Sequence, residues 1–287
     1  MNYITIKEAS SIWNISERRI RKLIQDGRIE ESKKIGNVWT IPEGTQKPID
    51  KRYKMLQEEY EFIDFILNNK DYFEDFITRL TYHSNAIEGN TLTYTETYAL
   101  LFNDNTFKLD KKTPREIYEA INHKKAIEYV FEKINSDYSD LTLGFIKDLG
   151  IIINENISNI NSFRAVQVII LGAEDIPPKP EQVPNLMNCF IANYNNLVEE
   201  NIFEKIARYH IEYESVHPFQ DGNGRTGRLL INYELIKNNL APAVIDVENR
   251  SKYYEFLRTK NVKGLAKWLK ELSEKEFERM GRFGYIN

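Results

Sequence analysis

The sequence predicts a mainly α protein: a large helical bundle with a short β-hairpin, preceded by a small winged helix-turn-helix unit. Three observations carry this. Residues 51–287 hold a succession of segments with apolar residues at helical spacing, such as Tyr60, Ile63 and Leu67. Residues 1–47 read as two short helices followed by a hairpin. One β-branched apolar run, Ala165 to Leu171, interrupts the helices and is followed by Gly172 and Pro177-Pro178, a hairpin signal.

In the first unit, Ile6 to Trp13 is a helical segment with Thr5 placed to cap it. Asn14-Ile15 makes the turn, Ser16 can cap a second helix over Glu17 to Gln25, and Gly27 can end it. Arg28 to Ile41 reads as a hairpin with Gly36-Asn37 at its tip. The second helix carries Arg18, Arg19, Arg21 and Lys22, and the hairpin adds Lys33 and Lys34. On a recognition helix such residues meet phosphates and base edges in the major groove. A solvated helix face or a protein-docking surface has the same composition, so both DNA contact through residues 1–47 and protein docking stay open. The segment resembles excisionase-like helix-turn-helix modules. Thr45 to Asp50, flanked by Pro42 and including Pro48, reads as the linker, which sets the domains at 1–47 and 48–287.

The bundle's helical stretches are Tyr53 to Asn68, Tyr72 to Tyr82, Thr113 to about Ile134, Leu143 to Ile153, Val183 to Leu197, Ile202 to Glu214, Thr226 to Asn238, Lys252 to Arg258 and Leu265 to Arg279. Composition narrows the function classes. A formal net charge of -4 argues against a general nucleic-acid coat but permits a local basic patch. One cysteine, Cys189, rules out an intramolecular disulfide and a cysteine-based zinc site. A reducing cytoplasm fits that usage. The N-terminus lacks a signal-peptide pattern, and no apolar run approaches the ~20 residues of a membrane span.

The informative segment is His217-Pro-Phe-Gln-Asp-Gly-Asn-Gly-Arg-Thr-Gly-Arg228. Gly222, Gly224 and Gly227 let backbone N–H groups converge, and a helix follows at once. A glycine-rich turn opening a helix is an anion site. Arg225 and Arg228, three apart, can reach phosphate oxygens, and Asp221 can hold Mg²⁺ between two phosphates. His217 is a candidate general base, because its reference pKa lies near cellular pH. No Gly-Lys-Ser/Thr follows, so this is not a P-loop. His83, His123 and His210 read as structural.

His-Pro-Phe-x-Asp-Gly-Asn-Gly-Arg-x-Gly-Arg resembles the signature of Fic-domain proteins, and every fixed position is present. The resemblance spans Tyr53 to the C-terminus and implies a helical bundle with a β-hairpin flap and a core over about 113–240. It implies transfer of AMP from ATP, with Mg²⁺, onto a Ser, Thr or Tyr hydroxyl of a target protein, the chain itself included. His217 would be the base and Asp221 the Mg²⁺ ligand. Gly222, Asn223, Gly224 and Arg225 would cradle the α- and β-phosphates, with Thr226 and Gly227 in the same turn, and Arg228 would hold the γ-phosphate. Phe219 would be buried and fix the loop.

A second match is Ser84-Asn85-Ala86-Ile87-Glu88-Gly89, in a helix over about 72–90. It resembles the inhibitory motif of the Fic class that carries it N-terminal to the loop. Ser84 and Glu88 share a helical face, and Gly89 ends the helix. A carboxylate there would pair with Arg228 and deny it to the γ-phosphate. Phe163-Arg164 and Val166 to Pro178 resemble the Fic flap, which places Ile170, Leu171, Gly172 and Ala173 beside the nucleotide and a target peptide along the hairpin. Tyr253, Tyr254 and Asn261 stand where related enzymes contact the nucleoside. Removal of AMP, transfer of another group, and a DNA-binding regulator that senses nucleotide are the competing readings. A homodimer is left open.

Overall fold

Two units, Met1–Glu59 and Tyr60–Asn287, divide the chain in a computed structural model that describes residues 3–13, 17–25, 29, 32–36, 38–45, 61–102, 111–136, 141–169, 176–196 and 201–285. The first unit runs β1 (Tyr3–Thr5), α1 (Ile6–Trp13), α2 (Glu17–Gln25), β2 (Lys33–Ile35) and β3 (Val38–Pro42). The strands form an antiparallel sheet in the order β1-β3-β2, with Ile4 opposite Ile41 and Lys34 opposite Trp39. β1 was not expected; three residues are too few for alternation to show. Thr5 caps α1 as expected, and does so reciprocally. Its Oγ1 accepts from Glu8 N–H at 3.2 Å while its own N–H donates to the Glu8 carboxylate at 2.7 Å. Ile6, Ala9, Trp13, Ile20, Leu23, Ile24, Ile29 and Ile41 form this unit's core. Asn14-Ile15, Ser16, Gly27 and Asn37, assigned to turns and caps, lie outside the described residues, as does the linker beyond Thr45.

The second unit is built of helices: α3 (Glu61–Asn68), α4 (Lys70–Ile87), α5 (Tyr94–Phe102), α6 (Pro114–Ser136), α7 (Leu143–Ile153), α8 (Val183–Asn196), α9 (Ile202–Val216), α10 (Asn223–Lys237), α11 (Arg250–Arg258) and α12 (Val262–Arg282). The described part of the first predicted stretch starts at Glu61; residues 53–60 lie outside. α4 begins two residues earlier than its periodicity suggests, because Asn69 caps it by accepting from Tyr72 N–H at 3.0 Å. It runs on past Tyr82 to Ile87, since Ser84, Asn85 and Ile87 are buried as well. α5 went unread. Its signal is Thr93 and Glu96, which bond each other's backbone N–H groups at 2.7 and 3.2 Å.

α10 occupies the centre. From Arg225 to Ile236 all of its residues are buried, the mark of a helix enclosed on every face. Leu229, Leu230, Tyr233 and Ile236 pack into one apolar cluster and Ile231 and Leu235 into another. α4 is pinned to α12 by ion pairs: Glu276 accepts from Tyr72 Oη at 2.7 Å and from Arg79 at 2.6 Å, and Asp75 joins Arg79 to Arg279. These bonds fix the first half of α4 against α12.

No strand forms among the described residues of the expected flap. Ile170, Leu171, Gly172 and Ala173 lie outside the described residues. The flanks on either side are tied together by Gln167 Nε2, which donates to Pro177 O at 3.0 Å.

Candidate active site

α9 ends on a left-handed residue. His217 has φ 50° and donates its N–H to Tyr213 O at 3.0 Å. Non-glycine residues in this region are uncommon and strained, and such strain is held only where the surroundings fix it. Arg164 does so. Its N–H donates to Pro218 O at 2.8 Å, its Nε to His217 O at 2.8 Å and its Nη2 to Pro178 O at 2.5 Å. One buried guanidinium thus joins Pro178 to the His217 turn.

The His217 ring is largely buried, with Nδ1 3.4 Å from the Glu214 carbonyl. A carbonyl only accepts, so the proton sits on Nδ1 and Nε2 is left as the acceptor. Burial holds the imidazole below its ordinary pKa, although the Glu214 carbonyl opposes this. His217 is therefore neutral near cellular pH. The Glu214 carboxyl behind it is pushed up to about 8 by burial, against the pull of Arg228. His210 and His123 are fully buried and bonded to Tyr253 Oη and Thr81 Oγ1, so both are structural.

Phe219 anchors the loop. It is fully buried, and the Asn223 side chain clamps its backbone, accepting from Phe219 N–H and donating to Phe219 O, each at 2.8 Å. A Cβ added at Gly150 would lie 2.3 Å from the Phe219 ring. We expect Gly150→Ala to destabilise the chain by about 1–3 kcal/mol through overpacking. Thermal unfolding would register this, and an unchanged melting temperature would remove Gly150 as the floor of the loop.

α10 starts at Asn223, three residues earlier than its apolar pattern shows, because Gly222 with φ 79° caps it. The N–H groups of its first turn have no acceptor within the helix and mark an anion site. Asp221 stands at this mouth. Its Oδ1 accepts from Gly222 N–H at 2.6 Å and from Arg225 at 3.0 Å, and its Oδ2 accepts from Arg115. Burial alone would raise this carboxyl, but Arg225 and Arg115 hold it below the usual range. Among the described residues no group of three His, Cys, Asp or Glu side chains could hold a metal. A lone carboxylate beside an anion nest suits Mg²⁺ that arrives with phosphates and keeps its waters.

Arg228 is fully enclosed. Its Nε donates to Ser84 Oγ at 3.0 Å, and its Nη2 donates to Ser84 O and to Glu88 Oε1, both at 2.8 Å. Burial would lower this arginine's pKa, but Glu88 outweighs it and keeps the charge fixed. Glu88 caps α4, and Gly89 with φ 97° turns the chain away. The approach needs Gly224: a Cβ there would sit 2.3 Å from Glu88 Oε1. Ser84, Glu88, Gly89 and the loop residues 217–228 thus meet in one place.

The three residues expected to contact the nucleoside differ in exposure. Tyr253 is 1% exposed, its hydroxyl bonds His210 at 2.8 Å, and Arg228 lies over its ring. It packs behind Arg228. Tyr254 is 38% exposed with its hydroxyl 3.3 Å from Ile87 O, and is the tyrosine that can stack. Asn261 is exposed and caps α12 by accepting from Gly264 N–H at 2.9 Å. Sequence reasoning missed Arg115 and Glu119. Their i,i+4 spacing at the start of α6 was the available signal.

Residues 140–235 match the Fic/DOC family. The chain is 30% identical over 186 residues to the protein adenylyltransferase Fic of Nematostella vectensis, covering 63% of this chain and 42% of that protein. It is 30% identical over 206 residues to the protein adenylyltransferase Fic of Drosophila melanogaster, covering 69% and 40%. The chain thus spans well under half the length of these curated relatives. Its fold is like that of a Fic domain-containing signaling protein from Bacteroides thetaiotaomicron, with a TM-score of 0.67 at 22% identity over 82% of this chain and 100% of that one. A Fic-1 fragment from C. elegans gives 0.65 at 24% identity, covering 81% and 71%. With the signature complete and His217, Asp221, Arg225 and Arg228 assembled around the start of α10, the chain carries a Fic/DOC-family domain over residues 140–235.

Proposed function

We propose that this chain transfers AMP from ATP to a Ser, Thr or Tyr hydroxyl of a protein, itself included, and that Glu88 restrains it. The observation that carries the reading is the convergence of a neutral, oriented His217, the α10 anion nest, Asp221 and Arg228. The nest and Arg225 would bind the α- and β-phosphates, and Arg228 the γ-phosphate. Mg²⁺, held by Asp221, would supply charge neutralisation between the phosphates. His217 Nε2 takes the proton of the target hydroxyl as that oxygen bonds the α-phosphorus. The bond to the bridging oxygen breaks, and pyrophosphate leaves. The exposed Ile169 and Ile176 on the flap flanks suit a bound target segment. The names of the curated relatives support an adenylyl rather than a phosphate transfer. We place this chemistry in the cytoplasm, which suits a chain with one exposed free cysteine. The test is ATP labelled on adenine, added with the Glu88→Gly chain to a lysate. Label on a protein hydroxyl with matching pyrophosphate release supports the reading, and pyrophosphate release without labelled protein contradicts it.

Arg18, Lys33 and Lys34 are exposed on the first unit, which supports a second role, contact with duplex DNA. Arg21 spends its charge on Glu17 at 2.9 Å, so the basic face is thinner than the composition suggests. Full-length chain should bind duplex DNA weakly, with affinity falling as salt rises. Replacing Arg18, Lys33 and Lys34 together by Ala should abolish it, and binding that survives this change would assign the contact elsewhere.

A further inference from the structure

We propose that Arg115 is an internal counter-ion that occupies Asp221 in the metal-free chain and yields it when a divalent cation binds. The premise is the metal-ligand role proposed above for Asp221.

The two Asp221 oxygens are not equivalent. Oδ1 is engaged from inside by Gly222 N–H at 2.6 Å and by Arg225 at 3.0 Å. Arg225 is 2% exposed, with Nη1 3.4 Å from Glu119, and has no room to withdraw. Among the described residues Oδ2 is engaged only by Arg115, whose side chain is 56% exposed. Arg115 Nε is bonded to Glu119 Oε1 at 3.0 Å, so the guanidinium can swing outward while staying tethered. Oδ2 is thus the oxygen that a cation can take, and Arg115 is the group that must move. Mg²⁺ binds oxygen at about 2.0–2.1 Å, and a guanidinium cannot share that oxygen without like-charge repulsion.

The helix dipole does not explain Arg115. It lies in the first turn of α6, after Thr113 and Pro114, where the helix dipole disfavours a positive charge. The compensation comes from Glu119 and Asp221. Arg115 also screens Asp221 from incoming phosphates while no metal is present. It therefore reduces the gain in nucleotide affinity that metal brings.

The readout is the Kd of a fluorescent ADP analogue in EDTA divided by its Kd in saturating Mg²⁺. ADP has no γ-phosphate, so the Glu88–Arg228 pair need not open. In Arg115→Met this ratio should rise roughly two- to fivefold over wild type, the scale of a partly exposed ion pair. Arg115→Lys should fall between them. Lys125→Met, which removes an α6 charge that pairs with Glu155 and not with the Asp221 carboxylate, should match wild type. Asp221→Ala should bring the ratio toward one. If Arg115→Met and Arg115→Lys both match wild type while Asp221→Ala collapses the ratio, Arg115 is an ordinary surface partner and the proposal fails. If Asp221→Ala keeps the wild-type ratio, the metal-ligand reading fails and takes the proposal with it.

Discussion

Glu88→Gly should raise AMP transfer, self-labelling included, while leaving ADP affinity nearly unchanged. The reason is the occupancy of Arg228. Its guanidinium is fully buried and spends Nη2 on Glu88 Oε1 at 2.8 Å. That is the group proposed to take the γ-phosphate, and one Nη2 cannot serve both. ADP lacks that phosphate and should not sense the exchange. ATP should gain a charge-assisted contact worth about 1.5–3 kcal/mol. The low end applies, because the Glu88 side chain is 34% exposed and its pairing is screened. The larger effect should fall on rate. An α-phosphate turned toward the hydroxyl held by His217 is a gain in positioning, worth more than the affinity change. Adding Arg228→Ala to Glu88→Gly should lose the gain. Initial rates over a range of ATP concentrations would measure this. Equal rates for wild type and Glu88→Gly would leave Glu88 an ordinary helix cap.

His217→Ala, made in the Glu88→Gly background, should abolish transfer and leave ATP binding almost intact. The ring is proposed to act on the incoming hydroxyl and makes none of the proposed phosphate contacts, so its loss should cost roughly 10²–10⁴ in rate. The pH profile follows from burial. Because burial holds the imidazole below its ordinary pKa of about 6.5, its base form is favoured at neutral pH. The acid limb should therefore lie below that value. Transfer should rise as pH rises through the lowered pKa and then level off. Undiminished transfer by the variant, with bound ATP shown by calorimetry, would move the base elsewhere.

The helical fold and the arrangement of the loop were both legible in the sequence. Residues 217–228 are contiguous, so their chemistry lies within one stretch of text. The Ser84 and Glu88 pair could be read because i,i+4 spacing is itself a geometry. Pairing across the fold was not readable. Arg164 joins segments some fifty residues apart, and Arg115 reaches Asp221 from another helix. Spacing from the loop likewise does not say which of two adjacent tyrosines faces inward. Tyr253 is the buried one, its hydroxyl bonded to the His210 ring. α5 and the start of α4 were set by side-chain caps, Thr93 with Glu96 and Asn69, which apolar periodicity does not register.

The central claim is that the loop moves an adenylyl group and that Glu88 stands in the way. The measurement closest to it compares ATP labelled on the α-phosphate with ATP labelled on the γ-phosphate, each incubated with Mg²⁺ and the Glu88→Gly chain. The protein recovered after denaturation is then counted. Retention of the α-label and loss of the γ-label, both abolished by His217→Ala, is the predicted result. Retention of the γ-label would make the reaction a phosphate transfer and contradict the assignment of Arg225 and Arg228 to the phosphates of a donor cleaved at its α-phosphorus.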